Sequence, residues 1–217
     1  SVNDLLGIEN DDEVMDVLVN FERPITSEKA TFKLNGPRFG IQVFSGEIAD
    51  RLRAPESEGG FDSYAFSSVF AYQHEFQYIS SGEFQALFEM IVSINGIETG
   101  FVTPSFSLIN GMRYKGWEFG FGPVVRLAKT AEGYYDESGS WIRTSSIPEG
   151  SGYKLERTID SRGNAEISTG LVFAFGKTFT SGYLHLPVNI YYSPAPKFDS
   201  HVVGIMLGFT IAKRPQK

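Results

Sequence analysis

Bulky apolar residues alternate with small or polar residues along most of the chain, which is the period of two-sided β-strands. The pattern is clearest in residues 114–123, YKGWEFGFGP, where Trp117, Phe119 and Phe121 share one face and the residues between them share the other. The same template predicts eight strands, at 36–46, 65–79, 83–95, 101–115, 117–129, 165–179, 183–193 and 201–213.

The connections between these strands alternate in length. Tight turns are predicted at 80–82, at Lys115-Gly116 and at 180–182, and longer loops at 47–64, 95–101, 130–164 and 193–200. Short turns at one end and long loops at the other are typical of bacterial outer-membrane barrels. The predicted fold class is therefore all-β: an eight-stranded antiparallel up-and-down transmembrane β-barrel, with short periplasmic turns and longer extracellular loops.

Charge divides the chain into two predicted parts. The net charge is −7, and the first 20 residues contain six acids and neither Lys nor Arg. We expect residues 1–29 to be an acidic N-terminal periplasmic segment, extended or partly helical, and residues 30–217 to form the barrel. Such acidity argues against nucleic acid as a partner. The first residues lack a basic stretch followed by an apolar core, so we expect a secretion signal to have been removed already.

The small-residue face decides between two kinds of barrel. A soluble lipocalin-type barrel keeps its bulky apolar face inside around a ligand, whereas a membrane barrel turns it towards lipid. Here the other face is mostly Gly, Ala, Ser and Thr, with few Lys, which favours the cramped interior of a membrane barrel. We expect scattered polar residues to form an interior network that plugs it, with Arg38 or Arg126 pairing with Glu89 or Glu118: Arg38, Gln42, Glu75, Glu89, Glu118 and Arg126.

Aromatic residues cluster beside the predicted short turns. Such residues form a girdle at the membrane interface in outer-membrane barrels. The predicted girdle consists of Tyr78, Phe84, Tyr114, Trp117 and Phe179. Two polar residues, His74 and Lys177, fall on the bulky face, and Lys177 is close enough to a turn to reach lipid headgroups.

Two connections have features of their own. Residues 46–52 are predicted to form a short helix before Pro55. The 130–164 loop carries aromatic residues among Ser, Gly and charges, and binding residues tend to lie on loops. We treat four of them as a candidate partner-binding surface, with a mobile polar lid as the alternative: Tyr134, Tyr135, Trp141 and Tyr153.

Three stretches, LNGPRFGIQVFSGEIADRL, TGFVTPSFSLINGMRYKGWEFGFGP and FGKTFTSGYLHLPVNIYYSP, resemble a group of uncharacterised outer-membrane β-barrels of the Bacteroidota. The resemblance covers about residues 34 to 213. It rests on glycine and aromatic turn signals, so it implies an architecture and a location in the bacterial outer membrane, and no activity.

The sequence therefore predicts a structural or accessory subunit of a cell-envelope assembly and not an enzyme. The expected partners are outer-membrane lipid or lipopolysaccharide and a protein of that assembly. No cofactor or metal site is predicted, and the chain has no cysteine. The alternatives are a soluble ligand-binding barrel and a lipid-modifying enzyme of the lipid A hydrolase or transferase type. An enzyme would need a Ser or His near the membrane surface, for which the candidates are His74, His185, His201, Ser105, Ser107 and Ser168.

Overall fold

Eight antiparallel strands close into a ring in the computed structural model, which describes residues 33–81 and 83–211. Each ring strand pairs with the next one along the chain, and the last pairs with the first. The predicted eight-stranded antiparallel sheet is confirmed, while the segment 1–29 lies outside the described residues. The ring strands are β1 (Gly36–Gly46), β2 (Phe66–Ser81), β3 (Phe84–Asn95), β4 (Thr103–Tyr114), β5 (Trp117–Tyr135), β8 (Asn164–Ser181), β9 (Leu184–Ala195) and β10 (Ser200–Gly208).

The remaining elements lie mainly at the loop end of the ring. Two short strands, β6 (Trp141–Arg143) and β7 (Glu156–Ile159), pair with the far end of β5. The predicted short helix is confirmed as α1 (Glu47–Arg53). Single 3-10 turns span Glu56–Glu58 and Pro196–Phe198. At the opposite end, β11 (Thr210–Ile211) continues the path of β10 beside β9.

Several predicted boundaries are wrong. The strand predicted to end at residue 129 continues to Tyr135, because β7 and β6 pair with its extension. Two of the tight turns are displaced, since Ser81 and Ser181 belong to their strands. Gly82 lies outside the described residues. The Lys115-Gly116 turn is confirmed, with φ of 51° and 80°, the left-handed values that a tight hairpin turn requires.

The register of the ring fixes its tilt. A path that starts at Gly36 and moves from each residue to its partner on the next strand returns to β1 at Gly46, ten residues further along the strand. The path crosses from β8 to β9 at Gly170 and Ala195, where the register of the observed β8–β9 pairs is extended past its last pair. With a rise of about 3.3 Å per residue and strands about 4.8 Å apart, this stagger gives a tilt of about 40°. Each residue then advances about 2.5 Å along the ring axis.

Three prolines coincide with three interruptions in strand pairing. Pro123 lies where the β4–β5 pairing stops between Ser107 and Asn110, and Pro187 lies where the β9–β10 pairing stops beyond Val188. Pro194 would face Leu171 if the β8–β9 pairing continued past Phe173 and Tyr192, where it ends. Proline has no backbone N–H to donate to a neighbouring strand, so each interruption has a local chemical cause.

Candidate functional site

The bulky face of the strands points out of the ring. Phe119 and Phe121 are 46% and 51% exposed, whereas Gly120 between them and Gly122 after them are buried. Every ring strand carries exposed apolar side chains in the same way, so a continuous apolar belt surrounds the ring. No Asp or Glu occupies an outward position on the described ring strands. An exposed apolar surface of this extent marks an interaction with something apolar.

The predicted girdle lies at the turn end of this belt. Tyr78, Tyr114, Trp117 and Phe179 are about half exposed and Phe84 is half-buried. Phe84 pairs with Tyr114 and Tyr114 pairs with Trp117, so these three rings form one row across β3, β4 and β5.

The belt has a polar border at each end. Near the turns, the Lys177 ammonium lies 4.6 Å from the centre of the Trp117 ring and 5.7 Å from that of Phe179, so aromatic faces stabilise its charge. When the strand tilt is included, His74, Asn110 and Lys177 lie at nearly the same height along the ring axis. The outward residues above them are largely apolar for about 20 Å, up to His201.

A buried ionic cluster occupies the turn end of the ring interior. Arg113, 2% exposed, makes two hydrogen bonds to the Glu75 carboxylate, of 3.1 and 2.6 Å. Its Nε donates to Glu118 Oε1 over 2.8 Å, and Asn189 donates to the other Glu118 oxygen. Thr178 also donates to Glu118. One guanidinium therefore pairs with two buried carboxylates, and hydrogen-bonded ion pairing of this kind makes buried charge tolerable.

Arg113 was not predicted as the central cation. Arg38 or Arg126 was expected to pair with Glu89 or Glu118, and this is wrong. Arg113 pairs directly with Glu118 across the hairpin, two residues before and two after Lys115-Gly116. The turn signal therefore contained enough information to find this pair from the sequence.

The six residues of the predicted interior network all lie inside the ring, in separate groups. Arg38 donates to Gln73 over 2.9 Å, and Gln73 in turn donates to Glu89 over 2.6 Å. Gln42 accepts a hydrogen bond from the Tyr191 hydroxyl. The sixth residue, Arg126, is half-buried, and its Nη2 donates to Ser193 Oγ over 2.7 Å.

The interior is not polar throughout, contrary to the expected polar plug. Its loop half holds an apolar cluster in which Phe44, Phe101 and Phe198 pack with Ile48 and Leu52 of α1. The helix begins directly after β1, so its apolar residues are carried to the mouth of the ring. Between this cluster and the ionic cluster lies a cavity of about 50 Å³, lined mainly by polar side chains. Such a space holds a few water molecules.

The 130–164 loop folds over α1 as a cap. Asp160, fully buried, accepts hydrogen bonds from Trp141 Nε1 at 3.0 Å and from Arg162, and lies 3.8 Å from Arg51 of α1. Arg51 also donates to the Ile159 carbonyl and lies over the Trp141 ring. Burial would raise the pKa of Asp160, yet hydrogen bonds from Arg162 and Trp141 hold it below its ordinary value.

Trp141 is therefore not available to a partner, which corrects the expectation for that residue. It is 3% exposed and packs against Tyr135 with 5.0 Å between ring centres. Tyr134 and Tyr153 are half-buried and stack on each other at 4.6 Å. The ring contacts that the structure shows for these loop aromatics lie within the chain, and binding of a partner by Tyr134, Tyr135 and Tyr153 stays a prediction.

Tyr135 ties the cap to α1 by a second contact. Its hydroxyl donates to Glu47 Oε1 over 3.1 Å. Burial raises the pKa of the Glu47 carboxyl, and burial together with the Glu47 charge raises the pKa of Tyr135. The protonated tyrosine therefore persists as the donor at neutral pH.

Three of the residues considered for catalysis contact residues outside that set. His185 Nδ1 contacts Thr180 and His201 Nδ1 contacts Tyr192, while Ser105 contacts Ser93. His74 is exposed on the outer belt. Within residues 33–81 and 83–211, no group of three or more His, Cys, Asp or Glu side chains is arranged to hold a metal ion. Nor does that part of the chain contain a helix long and apolar enough to cross a membrane.

Comparison with known proteins adds no relative. The chain matches no family model, and neither the curated proteins nor the solved structures gave a match. The ring, its two faces and the cap are therefore the features from which a function is proposed.

Proposed function

We propose that the chain is an integral outer-membrane β-barrel and serves as a structural or accessory subunit of a cell-envelope assembly. The observation that carries this proposal is the distribution of polarity: an apolar belt surrounds the closed ring, whereas Arg113, Glu75 and Glu118 lie buried inside its turn half. Closure pairs most strand edges, which a hydrocarbon environment demands. A belt about 20–25 Å tall matches the apolar band of such barrels.

The same distribution weighs against a soluble ligand-binding barrel. That architecture keeps its apolar side chains around an internal cavity and its charged ones on the surface. In this chain Phe39, Phe121 and Phe175 are about half exposed, whereas Arg113 and Glu75 are buried. A soluble protein with such a surface would aggregate.

Flotation tests the membrane location. Chain refolded with phospholipid vesicles is expected to float with them on a density gradient, and to remain with them after a carbonate wash. Unheated samples are expected to migrate differently from boiled ones on a gel, as closed barrels do. A chain that stays in the dense fractions and shows one mobility would contradict the proposal.

The interior supports a barrel that is closed to solutes. The Arg113 cluster fills the turn end, and α1 with the 130–164 loop covers the loop end. We therefore expect no steady ohmic conductance from a single barrel in a planar bilayer. Regular single-channel steps from the purified monomer would overturn the closed interior.

The contacts of two catalytic candidates support an accessory role over that of a lipid-modifying enzyme: His201 Nδ1 contacts the Tyr192 hydroxyl, and the Ser105 hydroxyl contacts Ser93. Affinity purification of the chain from gently solubilised membranes is expected to bring down a stoichiometric envelope protein. Unchanged lipid A masses in a deletion strain are expected in parallel, whereas an altered acylation pattern would favour the enzyme.

A further inference from the structure

The ring has an opening in its wall at the loop end, between β8 and β9. β8 begins at Asn164, but its pairing with β9 covers only Phe173–Ser181. Over 164–172 it pairs with β5 alone. The opening lies beside the loop-end border of the apolar belt, near the level of His201.

Pro194 explains why the wall opens at this point. It would face Leu171 in the continued register, and it has no N–H to donate to the Leu171 carbonyl. The Ser193 hydroxyl donates to that carbonyl instead, over 2.6 Å. A strand edge left without a partner in hydrocarbon is costly, so the opening is best placed where lipid headgroups can supply hydrogen bonds.

A cleft of about 580 Å³ adjoins the opening, and it is termed the outer cleft because exposed side chains form its rim. Its rim carries Lys154, Lys197, Glu156 and Asp199, all exposed and none in an ion pair with another described residue. Of the two further acids, Glu166 pairs with Arg157, whereas Glu47 accepts a hydrogen bond from the neutral Tyr135 hydroxyl and has no cation of the described chain as its ion-pair partner. The exposed rim therefore carries two positive and two negative charges without an ion-pair partner among the described residues.

A third unpaired cation lies on the inner side of the opening. Arg126 faces Ser168 across the β5–β8 pairing. Ser168 and Phe198 line both the outer cleft and a small inner cavity of about 40 Å³, so they lie between the two. Arg126 lines that inner cavity. Its Nη2 donates to Ser193, and no carboxylate of the described chain lies within ion-pair distance. A cation held in this way is stabilised by an anion brought from outside.

We propose that the opening between β8 and β9 binds the headgroup of a zwitterionic phospholipid of the phosphoethanolamine type. The phosphate lies inward towards Arg126, and the ammonium lies at the rim with Glu156 and Asp199. The acyl chains lie against the exposed Ile167 and Leu171 on the outer surface of β8. This inference rests on the proposed membrane location, because the occupant comes from the bilayer.

The sharpest test restores the missing backbone donor. Full-length chain in detergent micelles is titrated with phosphatidylethanolamine, phosphatidylcholine or phosphatidylglycerol, and bound lipid is counted by native mass spectrometry. Wild-type chain is expected to retain one phosphatidylethanolamine about tenfold more tightly than either other lipid. Pro194→Ala is expected to extend the β8–β9 pairing and weaken that binding about tenfold. Pro123→Ala, which makes the same change at the β4–β5 interruption, is the matched control and is expected to bind as wild type does.

The charged partners are tested separately. Arg126→Gln is expected to weaken phosphatidylethanolamine binding about tenfold, and the rim double variant Glu156→Gln/Asp199→Asn, which removes the proposed partners of the ammonium, several-fold. The rim variant lies on the exposed surface, so it remains informative if Arg126→Gln does not fold. Equal binding by wild type and Pro194→Ala, or equal retention of phosphatidylglycerol, would overturn the proposed site. Loss of flotation by wild-type chain would instead contradict the membrane location on which the site depends.

Discussion

At the scale of single residues, Arg113 is the side chain on which the interior depends most. It forms ion pairs with both Glu75 and Glu118, and all three are buried. We predict that Arg113→Gln lowers the free energy of unfolding by about 3–5 kcal/mol, because it leaves two buried carboxylates without a cation. Urea unfolding in vesicles, followed by tryptophan emission, measures the loss.

Arg53→Gln is the matched control for Arg113→Gln. Arg53 is exposed and pairs only with the exposed Asp50, at 3.7 Å. Its replacement is expected to cost less than about 1 kcal/mol. An equal effect of the two substitutions would show that the buried cluster contributes nothing beyond a surface pair.

Gly122 is required by close approach of the neighbouring strand. A Cβ at this position would lie 1.9 Å from the Leu108 carbonyl oxygen, whereas one at Gly170 would have its nearest neighbours at 3.4 Å. We predict that Gly122→Ala lowers the free energy of unfolding by about 1–3 kcal/mol through overpacking. Gly170→Ala is expected to be close to neutral, and a similar loss at both positions would contradict the crowding of β4 against β5. The comparison uses the same unfolding assay.

Strand parity was predictable from the sequence because it depends only on neighbours along the chain. Phe119, Gly120 and Phe121 alternate by themselves, and a period of two is sufficient to assign their faces. Arg113 shows how far such local reasoning extends: counting outward from the Lys115-Gly116 turn pairs it with Glu118. The link from Arg113 to Glu75 spans 38 residues and could not be found in this way.

At the scale of elements, the cap depends on contacts that no local pattern contains. The helix α1 has seven residues, too few for a periodic signal, and Ile48 and Leu52 become buried only because the ring closes beneath them. Trp141 was expected on a partner-binding surface because it lies in a loop rich in Ser, Gly and charged residues. It is buried by Arg51 and Asp160, which come from α1 and from the end of the same loop.

The Asp160 carboxylate joins the cap to α1, so its removal should loosen both. We predict that Asp160→Asn increases amide hydrogen exchange in Glu47–Arg53 and Trp141–Arg143 at least tenfold, while exchange in β2 and β3 stays unchanged. Asp136→Asn, in an exposed turn where Asp136 binds only Ser138 and Ser140, is the control. Exchange that rises equally throughout the ring would contradict an independent cap.

Acid should loosen the cap of the unaltered chain in the same way. The pKa of Asp160 is lower in the folded chain than its ordinary value of 3.8. A carboxyl whose pKa is lower in the folded chain than in the unfolded chain stabilises the fold at pH values above its pKa in the unfolded chain. This stabilisation is lost as the pH falls through its pKa in the folded chain. The Asp160 contribution to cap protection is therefore expected to be lost below about pH 4. The exchange comparison is made at matched intrinsic rates, and protection that persists at pH 2 would contradict the assignment.

At the scale of the whole molecule, the register and the outer belt both support the proposed placement in a membrane. A shift of ten residues around eight strands gives a tilt of about 40°, and at that tilt about ten residues cross a 25 Å band. The girdle lies at one end of that band, and the opening between β8 and β9 lies at the other. Neither the tilt nor the opening was predictable from strand patterns, because both depend on pairing between strands distant in sequence.

The two tryptophans allow this placement to be tested in one experiment. Trp117 is 48% exposed at the turn end of the belt, and Trp141 is buried in the cap beyond the loop end. In vesicles of brominated phospholipid, chain carrying Trp141→Phe should show strong quenching of the remaining Trp117, greatest with bromine near the headgroup. Chain carrying Trp117→Phe should show little quenching of Trp141 at any bromine depth. Because both variants retain the same ring, efficient quenching of Trp141 would mean that the cap is immersed in lipid. An unquenched Trp117 would mean that the belt faces something other than acyl chains, and the membrane barrel would have to be abandoned.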